Sequence, residues 1–317
     1  MNVTKKLVKY LVPNPLLKYA SEKLLFEANP RGTRYFRDTH FNKMIFLIYE
    51  SLKEREIDMC LPYCWYRHGT LIHEPSFYSQ IGLPPGFFIT SDKSTRRMTR
   101  VPNNNLPHET KSTIDEIVDR IVFTYQDRRN RWIHGGTDKL LDDDYSFAPY
   151  EFQRIFKRRF EKYLTTEFRT PVRRQIPRHS AFSLQDVDYI NSYLDELMCA
   201  FPSDMDFLND TYQDWEDTAR ISLEWDQDSF LKIVEDFWAI FSKHLRILHN
   251  ENIPNDTITF WKNRLTSEEF PEYKLHLSNE RKRLLKIWDA NAPPNSTTID
   301  LVKKINRISF DNAMRGS

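Results

Sequence analysis

The chain has 317 residues, 40% of them hydrophobic, 14% aromatic and 29% charged, enough apolar material for one large helical domain or two modest ones. Forty-six Lys and Arg face 45 Asp and Glu, so no overall attraction to polyanions follows and any nucleic-acid footprint has to be local. Seven glycines and three cysteines argue against a glycine-rich nucleotide fold and a disulfide framework, and no run approaches the ~18 apolar residues of a membrane span, so a cytoplasmic setting is expected.

In chain order, Leu7, Tyr10 and Leu11 take helical spacing before Pro13 and Pro15. Residues 40–56 place Phe41, Met44, Ile45, Ile48 and Leu52 on one stripe, which predicts a helix. A second helix is expected to start near Pro62, a favoured first-turn residue, and to run through His73. Residues 83–102 read as a hairpin, with Pro84-Pro85-Gly86 leading a β-prone run (Phe87–Thr90), a polar tip and a second short run ending at Val101. Helices followed by a small hairpin make a winged-helix-like N-terminal unit over 1–102, and Lys93, Arg96, Arg97 and Arg100 would load its wing for nucleic acid. A charged tip equally suits a solvated hairpin, because charge at an edge blocks strand pairing.

Asn42-Lys43-Met44-Ile45-Phe46-Leu47-Ile48-Tyr49 and Cys64-Trp65-Tyr66-Arg67-His68-Gly69 together resemble the start of Panacea-type antitoxin domains. Those pair a lysine- and leucine-rich helix with a downstream Tyr-Gly-Pro; here Thr70 follows the glycine. The resemblance is confined to these two segments. It implies a prokaryotic defence or toxin-regulation setting, with binding of a protein partner or nucleic acid rather than catalysis.

The polar stretch 101–112, VPNNNLPHETKS, reads as a linker. Helical patterns follow at 113–134, 149–164, 183–200, 204–224, 228–249, 257–266 and 278–290, without an internal repeat. The expected fold is therefore mainly α, with the winged-helix-like unit followed by an all-α helical bundle over 103–317.

The pattern over 113–134 ends on a candidate site. Ser112 with Asp115, or Thr113 with Glu116, offers a capping pair. Ile114, Ile117, Val118, Ile121, Tyr125 and Trp132 share a stripe, and Arg129 falls about 40° from Tyr125 at its edge. A long cation there has to be paired, snorkel or function. Arg129-Asn130-Arg131-Trp132-Ile133-His134 resembles the Arg-polar-x-x-x-His signature of HEPN-type helical domains, many of which are metal-independent endoribonucleases. The resemblance implies that Arg129 holds the scissile phosphate, that His134 is the general acid or base, and that Asn130 orients the pair. It also implies a homodimer and no metal or cofactor. The tyrosine that often follows the histidine by two residues is Gly136 here. On a straight helix, residues five apart diverge by roughly 140°, so Arg129 and His134 meet only if the helix ends nearby or a second subunit completes the site. Gly135-Gly136 would supply such an end. The same basic residues equally suit a helix C-terminus facing its own dipole.

Other candidates are weaker. Cys60, Cys64, His68 and His73 have the composition of a zinc set, but four ligands must converge on one ion and this spacing opposes that. Asp142-Asp143-Asp144 reads as a solvated run or helix-start charge. Asp256 with Glu272-Tyr273-Lys274 has the residue types of a metal-dependent nuclease, a chemistry that needs strands, and PEYKLHL (271–277) is the strand-like run nearby. Lys157, Arg158, Arg159, Arg173 and Arg174, interleaved with Phe156, Phe160, Tyr163 and Phe168, could track an RNA or DNA backbone, or could be a wet face over an aromatic core. Two functions follow: a HEPN-like endoribonuclease of the toxin or phage-defence kind, or a non-enzymatic DNA- or protein-binding regulator.

Overall fold

The computed structural model describes residues 14–28, 38–83, 105–126, 136–168 and 183–291. Most of them are helical, and a small antiparallel sheet lies among the helices. Helix α1 (Pro15–Ala28) starts where Asn14 Oδ1 accepts from the Leu16 and Leu17 amides, both at 3.1 Å. Helix α2 (Asp38–Lys53) carries the expected stripe, yet Asn42, Lys43, Phe46, Leu47 and Tyr49 are buried as well. A helix covered all round is a central helix. It packs against strand β2 (Gly69–Ile72), helix α4 (His108–Tyr125) and helix α5 (Gly136–Ser146).

The expected helix from Pro62 is instead a hairpin, β1 (Tyr63–Tyr66) and β2 (Gly69–Ile72), with β3 (Asn250–Glu251) on the other side of β1. A short apolar run is ambiguous in period, and aromatic and β-branched residues favour strand once both faces are covered. Helix α3 (Glu74–Ile81) follows directly. The hairpin expected over 83–102, with Lys93, Arg96, Arg97 and Arg100, lies outside the described residues, as does the expected domain boundary at 102. Elements on its two sides share packing: α1 and α2 lie on α4, and α10 (Gln227–Leu248) lies on β1. Buried apolar side chains from Leu17 to Leu284 form one continuous core.

In the second half the helical periods correspond to α6 (Glu151–Arg154), α7 (Glu161–Phe168), α8 (Leu184–Ala200), α9 (Asp206–Trp225), α10 (Gln227–Leu248), α11 (Asn255–Arg264) and α12 (Phe270–Asn291). Among the described residues, π-helical segments interrupt them at Ile155–Phe160, between α6 and α7, and at Leu265–Glu269, between α11 and α12. The strand-like run 271–277 is helical, within α12. Stacked rings fill the bundle centre, Trp215 on Phe237 at 4.4 Å and Phe156 on Trp238 at 4.7 Å between centroids. Such offset aromatic pairs add to the area they bury. No helix among the described residues is long and apolar enough to cross a membrane.

Candidate functional site

The hairpin is the hub of the molecule's polar interior. Lys43, from α2, and Asp144, from α5, form an ion pair at 2.8 Å with side chains 2% and 0% exposed. Lys43 Nζ also donates to the Thr70 carbonyl at 2.7 Å. The Thr70 amide donates to Asp144 Oδ2 at 3.2 Å, and its hydroxyl donates to Asp144 Oδ1. Every oxygen of the carboxylate therefore has a donor, as a buried charge requires. Burial pulls the Lys43 ammonium below its ordinary pKa, with Asp144 opposing that pull.

Gly69 makes this approach possible. Its φ is +87°, in the left-handed region that glycine enters freely. A Cβ there would stand 2.1 Å from Asp144 Oδ2 and 2.7 Å from Lys43 Nζ. The two segments quoted for the antitoxin resemblance thus meet at one point: Lys43 from the first, Gly69 from the second. Phe46 seals the contact by packing on Tyr63 and Trp65, at 4.9 and 6.0 Å between centroids.

At its tip the hairpin turns over a cleft of about 320 Å³. Phe156, Leu164, Leu231, Val234 and Trp238 make its apolar wall, while Arg67, His68, Glu161 and Glu235 supply polar groups. That mixture is typical of ligand pockets. Trp238 Nε1 donates to the Arg67 carbonyl at 2.8 Å, which fixes the turn to α10. Arg67 pairs with Glu235 at 2.9 Å. The protein lowers the His68 pKa, by desolvation first and by the nearby Lys157 charge second. Lys157 is buried, pairs with Glu161 and lies 5.4 Å from the Trp238 ring centroid; desolvation lowers its pKa against the pull of Glu161. The π-helical segment aims Lys157 inward, and such bulges recur at functional sites.

Two further basic residues expected to hold nucleic acid are engaged within the chain. Arg158 donates to Asp142 at 2.5 Å and Arg159 pairs with Glu196. Arg173 and Arg174 lie outside the described residues. So do Arg129, Asn130 and His134. Their flanks differ from the expectation, however. Helix α4 begins at His108, so Ser112 and Thr113 are not its cap, and it ends at Tyr125 rather than near His134. Gly136 lies within α5, where the expectation made it part of a helix end. Gln126 leaves the helix in an extended conformation (φ −128°, ψ 149°), which a continuing stripe would not allow. The buried face of α4 is otherwise the expected one: Ile114, Ile117, Val118, Ile121 and Tyr125.

Among the described residues no group of three or more His, Cys, Asp or Glu side chains could hold a metal ion. Cys64 is enclosed in β1, and burial pushes its thiol up to about 12, with Arg246 and Lys43 opposing. His73 Nδ1 lies 2.8 Å from Ser76 Oγ. Asp256 sits in α11, and Glu272 and Lys274 in α12, so the strand context of a metal-dependent nuclease is missing there. The Asp142–Asp144 run is not uniformly solvated: Asp144 is fully buried, and Asp143 accepts from the Tyr125 hydroxyl at 2.6 Å. Lys43 to Asp144 is the pairing that sequence reasoning missed, because the partners are far apart in the chain.

Comparison with known proteins finds no match to this chain, whether as a protein family, a curated protein or a solved structure.

Proposed function

We propose that this protein is a non-catalytic regulator of the antitoxin kind, which acts by binding a protein partner in a prokaryotic defence or toxin-regulation setting. The observation that carries the reading is the meeting of Lys43 and Gly69 at Asp144, which joins the two segments of the resemblance into one rigid unit. These polar groups saturate one another and are shut off from solvent, so they serve to hold a surface in shape and are not placed to react. The engagement of Lys157, Arg158 and Arg159 by carboxylates favours a protein partner over a nucleic-acid backbone, which needs free cations.

The test is expression in a bacterial host, alone and together with the product of the adjacent gene. The regulator reading expects the chain alone to be harmless, and expects it to co-purify with a neighbour whose toxicity it relieves. Growth arrest by the chain alone, abolished by His134→Ala, would overturn it.

A second reading is the nuclease one, with Arg129 and His134 acting on RNA. One observation favours it. The Tyr125–Asp143 hydrogen bond ties the end of α4 to α5, so the chain carrying this pair is anchored at both sides to one pair of packed helices. It expects RNA cleavage that persists in EDTA and vanishes in His134→Ala with folding intact.

A further inference from the structure

The strand alternation places Cys64, Tyr66 and Leu71 together on one face of the sheet, since Cys64 pairs with Leu71 across the hairpin. Arg246, from α10, lies over this face. Its guanidinium carbon is 5.2 Å from the Tyr66 ring centroid and 4.8 Å from that of Trp261, in α11. Trp261 is held in turn by the His73 ring, edge-on at 5.7 Å and 82°. The arrangement therefore rests on a strand and two helices, which fix its geometry better than loops would.

Arg246 differs from its counterparts in what it lacks. Arg220 is held by Glu216 and Asp195, and Arg283 by Asp226 and Glu280. Among the described residues no carboxylate pairs with Arg246, and its Nε is enclosed without an acceptor. A guanidinium that meets aromatic rings uses its π faces and leaves its planar N–H fork unfilled. Lys262, exposed, is next to Trp261 in the chain.

We propose that Tyr66, Arg246 and Trp261 form a receptor for the phosphate group of a small phosphorylated ligand. A phosphate monoester offers two coplanar oxygens to the N–H fork, and its near-double charge gains more from a guanidinium than a carboxylate does. The rings keep the guanidinium in place before the ligand arrives, which lowers the ordering cost of binding. This activity is separate from partner binding and does not depend on that reading.

Calorimetric titration of the full chain with inorganic phosphate and with adenosine monophosphate tests the proposal. Both are expected to bind, and Arg246→Gln is expected to weaken binding at least about tenfold, with Arg246→Lys rescuing only part of it because a lysine keeps the charge and loses the fork. Tighter binding of the nucleotide would assign the rings to its nucleoside, and equal binding would assign recognition to phosphate alone; either supports the receptor. A second measurement needs no variant. Phenylglyoxal should modify Arg246 in chloride buffer, and phosphate should protect it while acetate at equal ionic strength does not. Arg120, whose one described side-chain contact is Ser51 Oγ at 3.5 Å, is the internal control. No binding by the wild type, binding unchanged in Arg246→Gln, or protection by acetate equal to that by phosphate would each overturn the proposal.

Discussion

Replacing Gly69 by alanine puts a methyl group into space already held by Asp144 and Lys43, on a backbone whose φ of +87° disfavours any side chain. We expect Gly69→Ala to lose about 3–5 kcal/mol, the cost of breaking a buried pair, in guanidinium chloride unfolding. The same logic applies to the charges. Lys43→Met and Asp144→Leu should each be destabilising by about 3–5 kcal/mol alone, and the double variant should cost far less than their sum, because neither change then leaves a charge stranded. Additive losses would show that the two side chains do not act as a pair. In the sequence Lys43 was marked only by the antitoxin resemblance and lies off the predicted stripe of α2, while Asp144 read as one of three acidic residues in a solvated run. Nothing local distinguishes the buried aspartate from its neighbours. Its partner lies on another helix.

Helix periods are local, and that is why α8, α9 and α10 match their apolar patterns to within a few residues. The same locality explains the failures. Residues 63–72 alternate weakly and are buried on both faces, so their strand character depends on α2 and α10 lying on either side. The π-helical segment at Ile155–Phe160 adds a residue to a turn, which a 3.6-residue pattern cannot reveal, and so Lys157 reads as surface when it is buried. Capping chemistry, by contrast, is readable and testable. Ser183 accepts from the Asp186 amide at 3.2 Å and Asp186 accepts from the Ser183 amide at 3.0 Å, a reciprocal cap on α8. Ser183→Ala should reduce stability by about 1 kcal/mol in urea titration. A change indistinguishable from zero would mean that α8 gains its start from packing alone.

The molecule as a whole should respond to mild acid. His68, His73, His244 and His249 all have pKa values lowered from 6.5, with desolvation the largest cause in each. His249 shows the arrangement well. Tyr150 gives its proton to Asp204 at 2.9 Å, an acceptor only, so the 2.8 Å contact makes His249 Nε2 the donor to the Tyr150 oxygen. Because the fold favours the neutral rings, the unfolded chain binds more protons just below pH 6.5. Stability is then complete above that value and declines as the pH falls through it. The urea midpoint should fall between about pH 7.5 and about pH 5.5. A midpoint that holds or rises over this range would contradict the assignment.

By itself the sequence determined the helical class and the apolar stripes of α2 and α4, since these follow from spacing within one stretch of chain. Only the tertiary structure decided where charge is buried, that residues 63–72 are strands, that α4 stops at Tyr125, and that Arg246 meets Tyr66 and Trp261. Each of those depends on a partner distant in sequence. Desolvation, close approach and ring contact exist only once the elements have packed.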